Sequence, residues 1–441
     1  MNFEIVAALL KECALCDSCL GRQFAMLGHG LTNEERGRAL KLACVIEGSR
    51  LAKEEKQKGI EALQSLATKG FSEAAAKTLD VAGVEFNKPE TKCQLCGGTY
   101  LLIDELAKDA AKSLQEYEYD TFLVGIRTDS DVENREDELR SKLGIKWGES
   151  LRNEYSREIG KRIVVQTNKE VELKRPDIVV VIDPFRKKIS LDVNSLFVWG
   201  RYRKLVRGVP QSRWFCSGCR GRGCEKCGGM GRLYPDSIEE FITAPLLEAT
   251  SGSVAKLHAS GREDIDVRTL GPGRPFVAEV KRPKLRKIDL KKLSKAINQG
   301  SQGKVEVGKL KFSSKETVRS IKEAEKSIKV YRAVVEFTRD LTDEDMSKIE
   351  KLANRLINQQ TPLRVAHRRA DKTRKKHLYE LEPKKLRPSI VEMQIRCQGG
   401  LYIKELISGD DGRTQPSVAE VVGAPAKCVE LDVLDVELET R

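Results

Sequence analysis

Two closely spaced pairs of cysteines lie near the middle of the chain. Cys216, Cys219, Cys224 and Cys227 form two CxxC pairs with four residues between them, and glycines stand where the backbone must turn tightly. Four thiolates repel one another unless a cation lies among them, and this spacing is typical of a structural zinc site. The alternative is four reduced thiols in a surface loop. We predict a zinc knuckle over residues 214–234.

A second set of thiols is divided between two distant segments. The pairs Cys16/Cys19 and Cys93/Cys96 can share a metal if the chain between them closes a loop of ordinary size, and unrelated thiols are the alternative. Cys13 lies three residues before Cys16 and leaves the choice of ligand open, although the Cys-Leu-Gly-Arg sequence favours Cys16/Cys19. Neither zinc is predicted to be catalytic, because no HxE or HExxH arrangement is present.

Three carboxylates lie between arginines in the segment Ala259–Phe276. They belong to Glu263, Asp264 and Asp266, in a turn that we expect to lead out of a strand. Composition alone favours a salt-bridged surface loop here. If the segment is extended, Asp264 and Asp266 share one face, and the residue types do not distinguish between them.

Motifs for nucleotide cofactors and hydrolytic triads are broken or absent. The segment Gly271-Pro-Gly273 lacks the third glycine of a dinucleotide-binding fingerprint, and Gly303–Leu310 has leucine where a P-loop needs a magnesium-binding hydroxyl. The four histidines stand in no visible Cys–His or Ser–His context. These patterns exclude the common nucleotide-cofactor and triad chemistries.

The carboxylate loop is similar to a family motif. Gly261-Arg262-Glu263-Asp264 resembles the G-R-x-D loop of pseudouridine synthases, and the run through Pro275 resembles the archaeal and eukaryotic tRNA pseudouridine synthase family numbered ten. Further segments extend the resemblance over essentially the whole chain, namely 329–335, 360–371 and 399–414. The resemblance implies an α+β, multidomain protein whose C-terminal mixed α/β domain is catalytic and whose N-terminal region is zinc-binding and THUMP-like.

The same resemblance implies a reaction and its participants. The expected reaction is isomerisation of uridine to pseudouridine in the T arm of tRNA, at position 55 and in archaeal members also 54, without an organic cofactor. Asp264 would be the nucleophile, and attack on the ribose anomeric carbon or on carbon 6 of the base both stay open. Lys404 is its candidate cationic partner, since an ionised carboxylate in a partly dry pocket needs a positive neighbour. An exposed helical lysine is the alternative.

A tyrosine and an isoleucine complete the predicted catalytic set. The resemblance makes Tyr331 the residue that stacks on the flipped base and moves the carbon-5 proton, although its alternating pattern is equally typical of a core aromatic. Ile403 would pack beneath the base or support Asp264, with Ile407 as the second choice and plain core as the alternative for both.

The charge of the chain indicates a polyanionic partner, and the family resemblance implies that this partner is tRNA. The 79 Lys and Arg against 66 Asp and Glu give a net charge of +13, and two strongly basic segments, Lys281–Lys295 and Arg364–Arg387, flank candidate strands. Solvated charged faces are the alternative. The resemblance implies that Arg262 fills or props the space left by the extruded nucleotide. The predicted phosphate contacts are Lys281, Arg282, Lys284, Arg368 and Arg369.

These residues need a scaffold of several domains. Periodicity predicts helices over Asn33–Leu51, Ala52–Leu79 with a break at Gly70, and Glu149–Ile163, then strands over Asp177–Asp183 and Ile189–Trp199. Later strand candidates are Val254–His258, Phe276–Val280, Val330–Phe337, Ile390–Cys397 and Cys428–Leu438. We expect four domains: a helical zinc-clasped unit (1–105), a THUMP-like domain (106–213), the knuckle (214–234) and the catalytic domain (245–441).

Two other functions remain open on the residues alone. One is a zinc-containing RNA-binding protein without catalysis, and the other is a THUMP-containing tRNA methyltransferase, against which the missing glycine-rich cofactor loop argues. No apolar run is long enough to cross a membrane, and the N-terminus lacks a basic signal-peptide region. We therefore expect a cytoplasmic protein, and we expect it to be a monomer.

Overall fold

The computed structural model describes residues 3–88, 90–323, 327–367 and 370–437. The chain forms two compact units, Met1–Asn194 and Ser195–Arg441. Among the described helices, none combines the length and apolarity needed to span a membrane.

The first unit combines helices with a small sheet. Its strands are β1 (Thr121–Ile126), β2 (Glu170–Val171), β3 (Ile178–Asp183) and β4 (Lys188–Val193), in the order β2-β1-β3-β4, with β4 antiparallel to β3 and the other pairs parallel. Its helices are α1 (Phe3–Glu12), α2 (Asp17–Arg22), α3 (Asn33–Glu54), α4 (Lys56–Thr68), α5 (Glu73–Val81), α6 (Ile103–Leu114), α7 (Ser130–Leu143) and α8 (Leu151–Thr167).

Local sequence explains several boundaries in this unit. The side chain of Thr32 accepts a hydrogen bond from the Glu35 amide, and the Glu35 carboxylate accepts one from the Thr32 amide, so a capping box starts α3. The predicted helical stretch Ala52–Leu79 divides around Gly70 into α4 and α5, as expected. Along β3, Ile178, Val180 and Ile182 are fully buried, as the alternation of a half-buried strand requires.

The second unit is built on one large sheet. Its strands are β5 (Leu196–Lys204), β6 (Val254–Ala259), β7 (Arg268–Lys281), β8 (Val305–Val307), β9 (Lys311–Ser313), β10 (Ile328–Phe337), β11 (Arg355–Gln359), β12 (Arg374–Arg387), β13 (Ile390–Gln398), β14 (Thr414–Gln415) and β15 (Ala426–Glu437). The order among the described residues is β14-β11-β12-β13-β10-β15-β7-β5-β8, with β6 paired to β7 and β9 to β5. The helices are α9 (Ile238–Thr250), α10 (Leu290–Gly300), α11 (Lys315–Glu323), α12 (Asp343–Glu350), α13 (Leu363–Ala366), α14 (Ile403–Ser408) and α15 (Val418–Val422).

The strand predicted over Ile189–Trp199 is wrong as a single element. The structure has β4 and β5 there, separated by Asn194 and Ser195, and the two strands belong to different sheets. β5 pairs with β7 of the second unit, so residues 195–213, which we grouped with the THUMP-like domain, lie in the second unit. The division of the chain into four domains stays a prediction.

Two apolar cores hold the second unit together on either side of residues 260–267, which we call the acidic loop. One core contains buried residues of β10, β13, β15 and α14 together with Val267, and the other contains residues of β5, β7, α9 and α10. β7 starts earlier than predicted, at Arg268, so the residues between Ala259 and Arg268 form the connection from β6 to β7. This connection carries all three carboxylates.

Candidate active site and metal centres

The acidic loop is a turn and not an extended segment. The amide of Val267 donates to the carbonyl of Asp264 at 3.1 Å, and Ile265 and Asp266 occupy the turn between them. The condition under which Asp264 and Asp266 would share a strand face is therefore not met, although both carboxylates lie near Lys404. The ammonium of Lys204 donates to the carbonyls of Asp264 at 3.2 Å and Ile265 at 2.7 Å and so holds the turn from below. Burial lowers the pKa of Lys204 to about 8.

Glu263 anchors the loop inside the protein. Its Oε2 lies 2.8 Å from Arg274 Nε, and both side chains are almost fully buried. The Tyr202 hydroxyl donates to the same carboxylate at 2.9 Å, and Arg274 Nη1 donates to the carbonyl of Ser260 at 2.7 Å. No sequence pattern indicated that Tyr202 and Arg274 contact Glu263, since only the pairing of β5 with β7 places these two residues opposite each other.

Asp264 and Asp266 both face outward, and Asp264 is the one that lies between two cations. Its side chain is 39% exposed, and its Oδ2 lies 2.9 Å from Arg364 Nη1 and 3.7 Å from Lys404 Nζ. Lys404 stands closer to Asp266, at 2.7 Å. Arg364, which the sequence analysis included only in a basic segment, is thus the nearer partner of Asp264. A second contact to Glu405, at 2.6 Å, fixes the guanidinium.

The predicted aromatic and aliphatic residues lie on neighbouring elements. Tyr331 is on β10 and packs against the core that contains Ile403 and Ile407. Burial raises the pKa of Tyr331, and the negative charges of Asp264 and Glu263 raise it further, so these groups are within electrostatic reach of the phenol. Ile403 is the first residue of α14 and Ile407 the fifth, and both are buried, with exposures of 4% and 0%.

Lys329 is a further basic group beside the loop that the sequence analysis did not single out. Gly261 has φ +81°, and a Cβ atom at that position would lie 2.8 Å from Lys329 Nζ and 3.2 Å from Arg274 Nη1. A side chain would therefore displace the lysine. Burial, reinforced by the charge of Arg274, lowers the pKa of Lys329 to about 8. The sequence signal that could have identified Lys329 is its place two residues before Tyr331 in the Lys-Val-Tyr segment.

The predicted RNA contacts are distributed around the same unit. Lys281, Arg282 and Lys284 are exposed, with Lys281 as the last residue of β7 and the other two just after it. Arg262 is exposed beside the loop, and its guanidinium carbon lies 5.4 Å from the ring centre of Trp214. The remaining two predicted contacts, Arg368 and Arg369, lie outside the described residues.

The first group of thiols comes from both predicted pairs. One ligand atom from each of Cys16, Cys19, Cys93 and Cys96 lies within 4.8 Å of the others, and Cys13 is not in the group. Arg22 Nη1 lies 3.5 Å from Cys19 Sγ, and this fully buried guanidinium also pairs with Glu136 and Glu154. A positive charge therefore borders the sulfur cluster.

The second group of thiols has the geometry of a tetrahedral sulfur site. Sγ of Cys216 lies 3.8 Å from that of Cys224, and the pairs Cys219/Cys227 and Cys224/Cys227 are separated by the same distance. A Zn–S bond of about 2.3 Å gives a tetrahedral edge of about 3.8 Å. Backbone amides also donate to the sulfurs, as that of Gly231 does to Cys227 at 3.1 Å. Both groups can hold a metal ion.

The comparisons with known proteins agree with this architecture. The family model described as Pus10, C-terminal, matches residues 197–437, more than half of the chain. The chain belongs to the Pus10 family. A second model, the archaeal Pus10 THUMP domain, matches residues 106–183 in the first unit. The predicted family and the α+β fold with a THUMP domain are therefore confirmed.

Pus10 relatives match almost the full length. The tRNA pseudouridine synthase Pus10 of Methanocaldococcus jannaschii is 45% identical, covering 99% of this chain and 95% of that protein. The tRNA pseudouridine synthase Pus10 of Thermofilum pendens is 42% identical, covering 98% and 95%. Both relatives carry the name of the enzyme class that the sequence predicted.

Proposed function

We propose that this Pus10-family protein isomerises uridine to pseudouridine in the T arm of tRNA, at position 55 and also at position 54, with Asp264 as the nucleophile. The observation that carries the proposal is the contrast between the acids of one loop. Glu263 is buried in an ion pair, whereas the Asp264 carboxylate is partly exposed and held by Arg364 and Lys404. Two cations stabilise a negative charge that an incoming nucleotide can still reach.

The reaction needs no co-reactant. A carboxylate oxygen of Asp264 forms a bond to the ribose anomeric carbon or to carbon 6 of the base, the glycosidic C–N bond breaks, and the base rotates. A bond then forms between the ribose and carbon 5, and the bond to Asp264 breaks. The carbon-5 proton leaves, and N1, which has lost its bond to the ribose, takes up a proton. Atoms and electrons balance because substrate and product are isomers.

Tyr331 is proposed to stack on the extruded base. Its raised pKa keeps the phenol protonated near neutral pH, so it can accept the carbon-5 proton only while passing its own proton on. Ile403 is proposed to support the loop from the core, because it is buried in the same apolar cluster as Val267. Lys404, which bridges Asp264 and Asp266, is proposed to position the nucleophile.

The proposed substrate also explains the charge. Extruding a nucleotide costs a few kcal/mol, and we propose that Arg262 occupies the vacated space while the predicted lysines and arginines contact phosphate. We propose Zn²⁺ as the metal of both four-cysteine groups, so elemental analysis should find about two zinc ions per chain. The monomeric state and the cytoplasmic location stay predictions.

The decisive experiment compares two acids in the same turn. A T-arm transcript is incubated with the wild-type chain, Asp264→Asn or Asp266→Asn, and pseudouridine is mapped by reverse transcription after carbodiimide treatment. We expect product with the wild type and Asp266→Asn, no product with Asp264→Asn, and unchanged tRNA binding. An active Asp264→Asn chain would refute the nucleophile. Unmodified RNA in every arm would favour a binding protein. A methylated nucleotide that forms only when S-adenosylmethionine is added would favour a methyltransferase.

A further inference from the structure

The cysteine knuckle is joined to the catalytic loop through an aromatic contact. We define the ribbon as residues 213–233, which contain Cys216, Cys219, Cys224 and Cys227. Trp214 at its base lies under the guanidinium of Arg262, two residues before Asp264. The Trp214 carbonyl accepts from the Leu233 amide at 2.9 Å, so both ends of the ribbon meet at this contact. The ribbon surface is therefore continuous with the proposed active site.

The ribbon exposes apolar side chains that its own fold does not cover. Phe215 is 58% exposed, Met230 54% and Leu233 44%. Phe215 is held in place from two sides, because Arg213 lies 6.0 Å from its ring centre and a Cβ on Gly221 would lie 3.1 Å from its ring edge. A fixed and exposed aromatic ring is a platform on which a base can stack.

The charge of the ribbon favours a polyanion as the occupant. It contains five basic residues and one acidic residue, Glu225, and a bound Zn(Cys)₄ centre of charge −2 would still leave it positive. Glu240 on α9 pairs with Arg213 and Arg232. The other basic residues, Arg220, Arg222 and Lys226, are exposed, and none has an ion-pair partner among the described residues.

We propose that the ribbon binds the single-stranded nucleotides that flank the target uridine, with one base stacked on Phe215 and phosphates beside Arg222 and Lys226. The proposal rests on the proposed function for the identity of the RNA. It follows from the juxtaposition of the exposed ring, the unpaired cations and the Arg262–Trp214 contact with the catalytic loop. Ribbon and loop then hold neighbouring nucleotides of one strand.

The test measures binding without turnover. Asp264→Asn chains with Phe215→Ala, Phe215→Leu or Phe215→Trp are titrated against fluorescent tRNA transcript. Stacking is worth about 1–3 kcal/mol per base, so we expect Phe215→Ala and Phe215→Leu to weaken binding about 5-fold or more and Phe215→Trp to retain it. Phe312, 49% exposed on β9, is the matched control, and Phe312→Ala should bind like the parent.

A second measurement separates stacking from charge. The double variant Arg222→Gln/Lys226→Gln should lower the slope of log Kd against log salt by about 1.4, from about 0.7 for each single-strand phosphate. Zinc content and thermal unfolding of every chain verify that the ribbon is folded. The proposal would be overturned if Phe215→Ala and Phe215→Leu bound tRNA as tightly as the Asp264→Asn parent, or if Phe312→Ala weakened binding as much as Phe215→Ala. A protein partner would then be the occupant. Pseudouridine formation by the wild-type chain is scored separately, so either idea can fail alone.

Discussion

The buried pair of Glu263 and Arg274 allows a quantitative prediction about how the acidic loop is held. The two side chains are 0% and 2% exposed, and their charged atoms lie 2.8 Å apart. Replacing Glu263 by Gln keeps the shape and the contact to Tyr202 but leaves the guanidinium charge buried without a partner. Removing one member of a buried pair costs about 3–5 kcal/mol, and we expect about 3 because glutamine can still accept a hydrogen bond.

A matched control is available on the surface of the same unit. Arg203 and Glu306 form a pair in which each side chain is 42% exposed, and such pairs contribute about 0–1 kcal/mol. Glu306→Gln should therefore leave the free energy of unfolding nearly unchanged. The same glutamate-to-glutamine change is thus made in a buried and in an exposed environment.

The assay must report on the second unit alone. Of the three tryptophans, Trp147 lies in the first unit and Trp199 and Trp214 in the second, so urea unfolding is followed by fluorescence in a Trp147→Phe background. The reasoning would be refuted if Glu263→Gln and Glu306→Gln lowered the free energy of unfolding by amounts within about 1 kcal/mol of each other.

A double variant isolates the cause of the effect. Adding Arg274→Met to Glu263→Gln removes the uncompensated charge, so the double variant should be less destabilised than the sum of the single changes. Additive losses would mean that the two residues act independently. The variants that lose stability should also form pseudouridine more slowly, because the Glu263–Arg274 pair holds the loop that carries Asp264.

Three further predictions concern other contacts. Arg364→Gln should lower the single-turnover rate of pseudouridine formation at least about 10-fold with little change in tRNA affinity, because Asp264 loses its nearest cation; an unchanged rate contradicts this role. The pKa of Lys204 is lowered from 10.5 to about 8 in the folded chain, so the unfolded chain binds more protons between pH 8 and 10.5. The free energy of unfolding should therefore rise with pH over this range by up to about 3 kcal/mol, and urea titrations of Lys204→Met should lack this rise. Arg22→Gln should lower the thermal stability of the first unit and speed zinc loss to a chelator, as its guanidinium borders Cys19; equal chelation rates would argue against this.

Local sequence was sufficient for features that depend on short spacing. The CxxC pairs predicted both thiol groups, because a chelating pair is defined within four residues of chain. The motif Gly261-Arg262-Glu263-Asp264 indicated the loop and the family, since its residue types are restricted by chemistry and by the positive φ of Gly261. Helices with clear caps and periodicity, such as α3, followed in the same way.

The environment of Asp264 was decided by the tertiary structure. Its nearest cation, Arg364, comes from a short helix a hundred positions away, and the buried partner of Glu263 is placed by the register that sets Tyr202 opposite Arg274. The split of Ile189–Trp199 between two sheets was also invisible, because each half has ordinary strand periodicity. Residue type and spacing determine which groups can react or bind metal. Which charges face each other depends on strand pairing between distant segments, and no local pattern records that pairing.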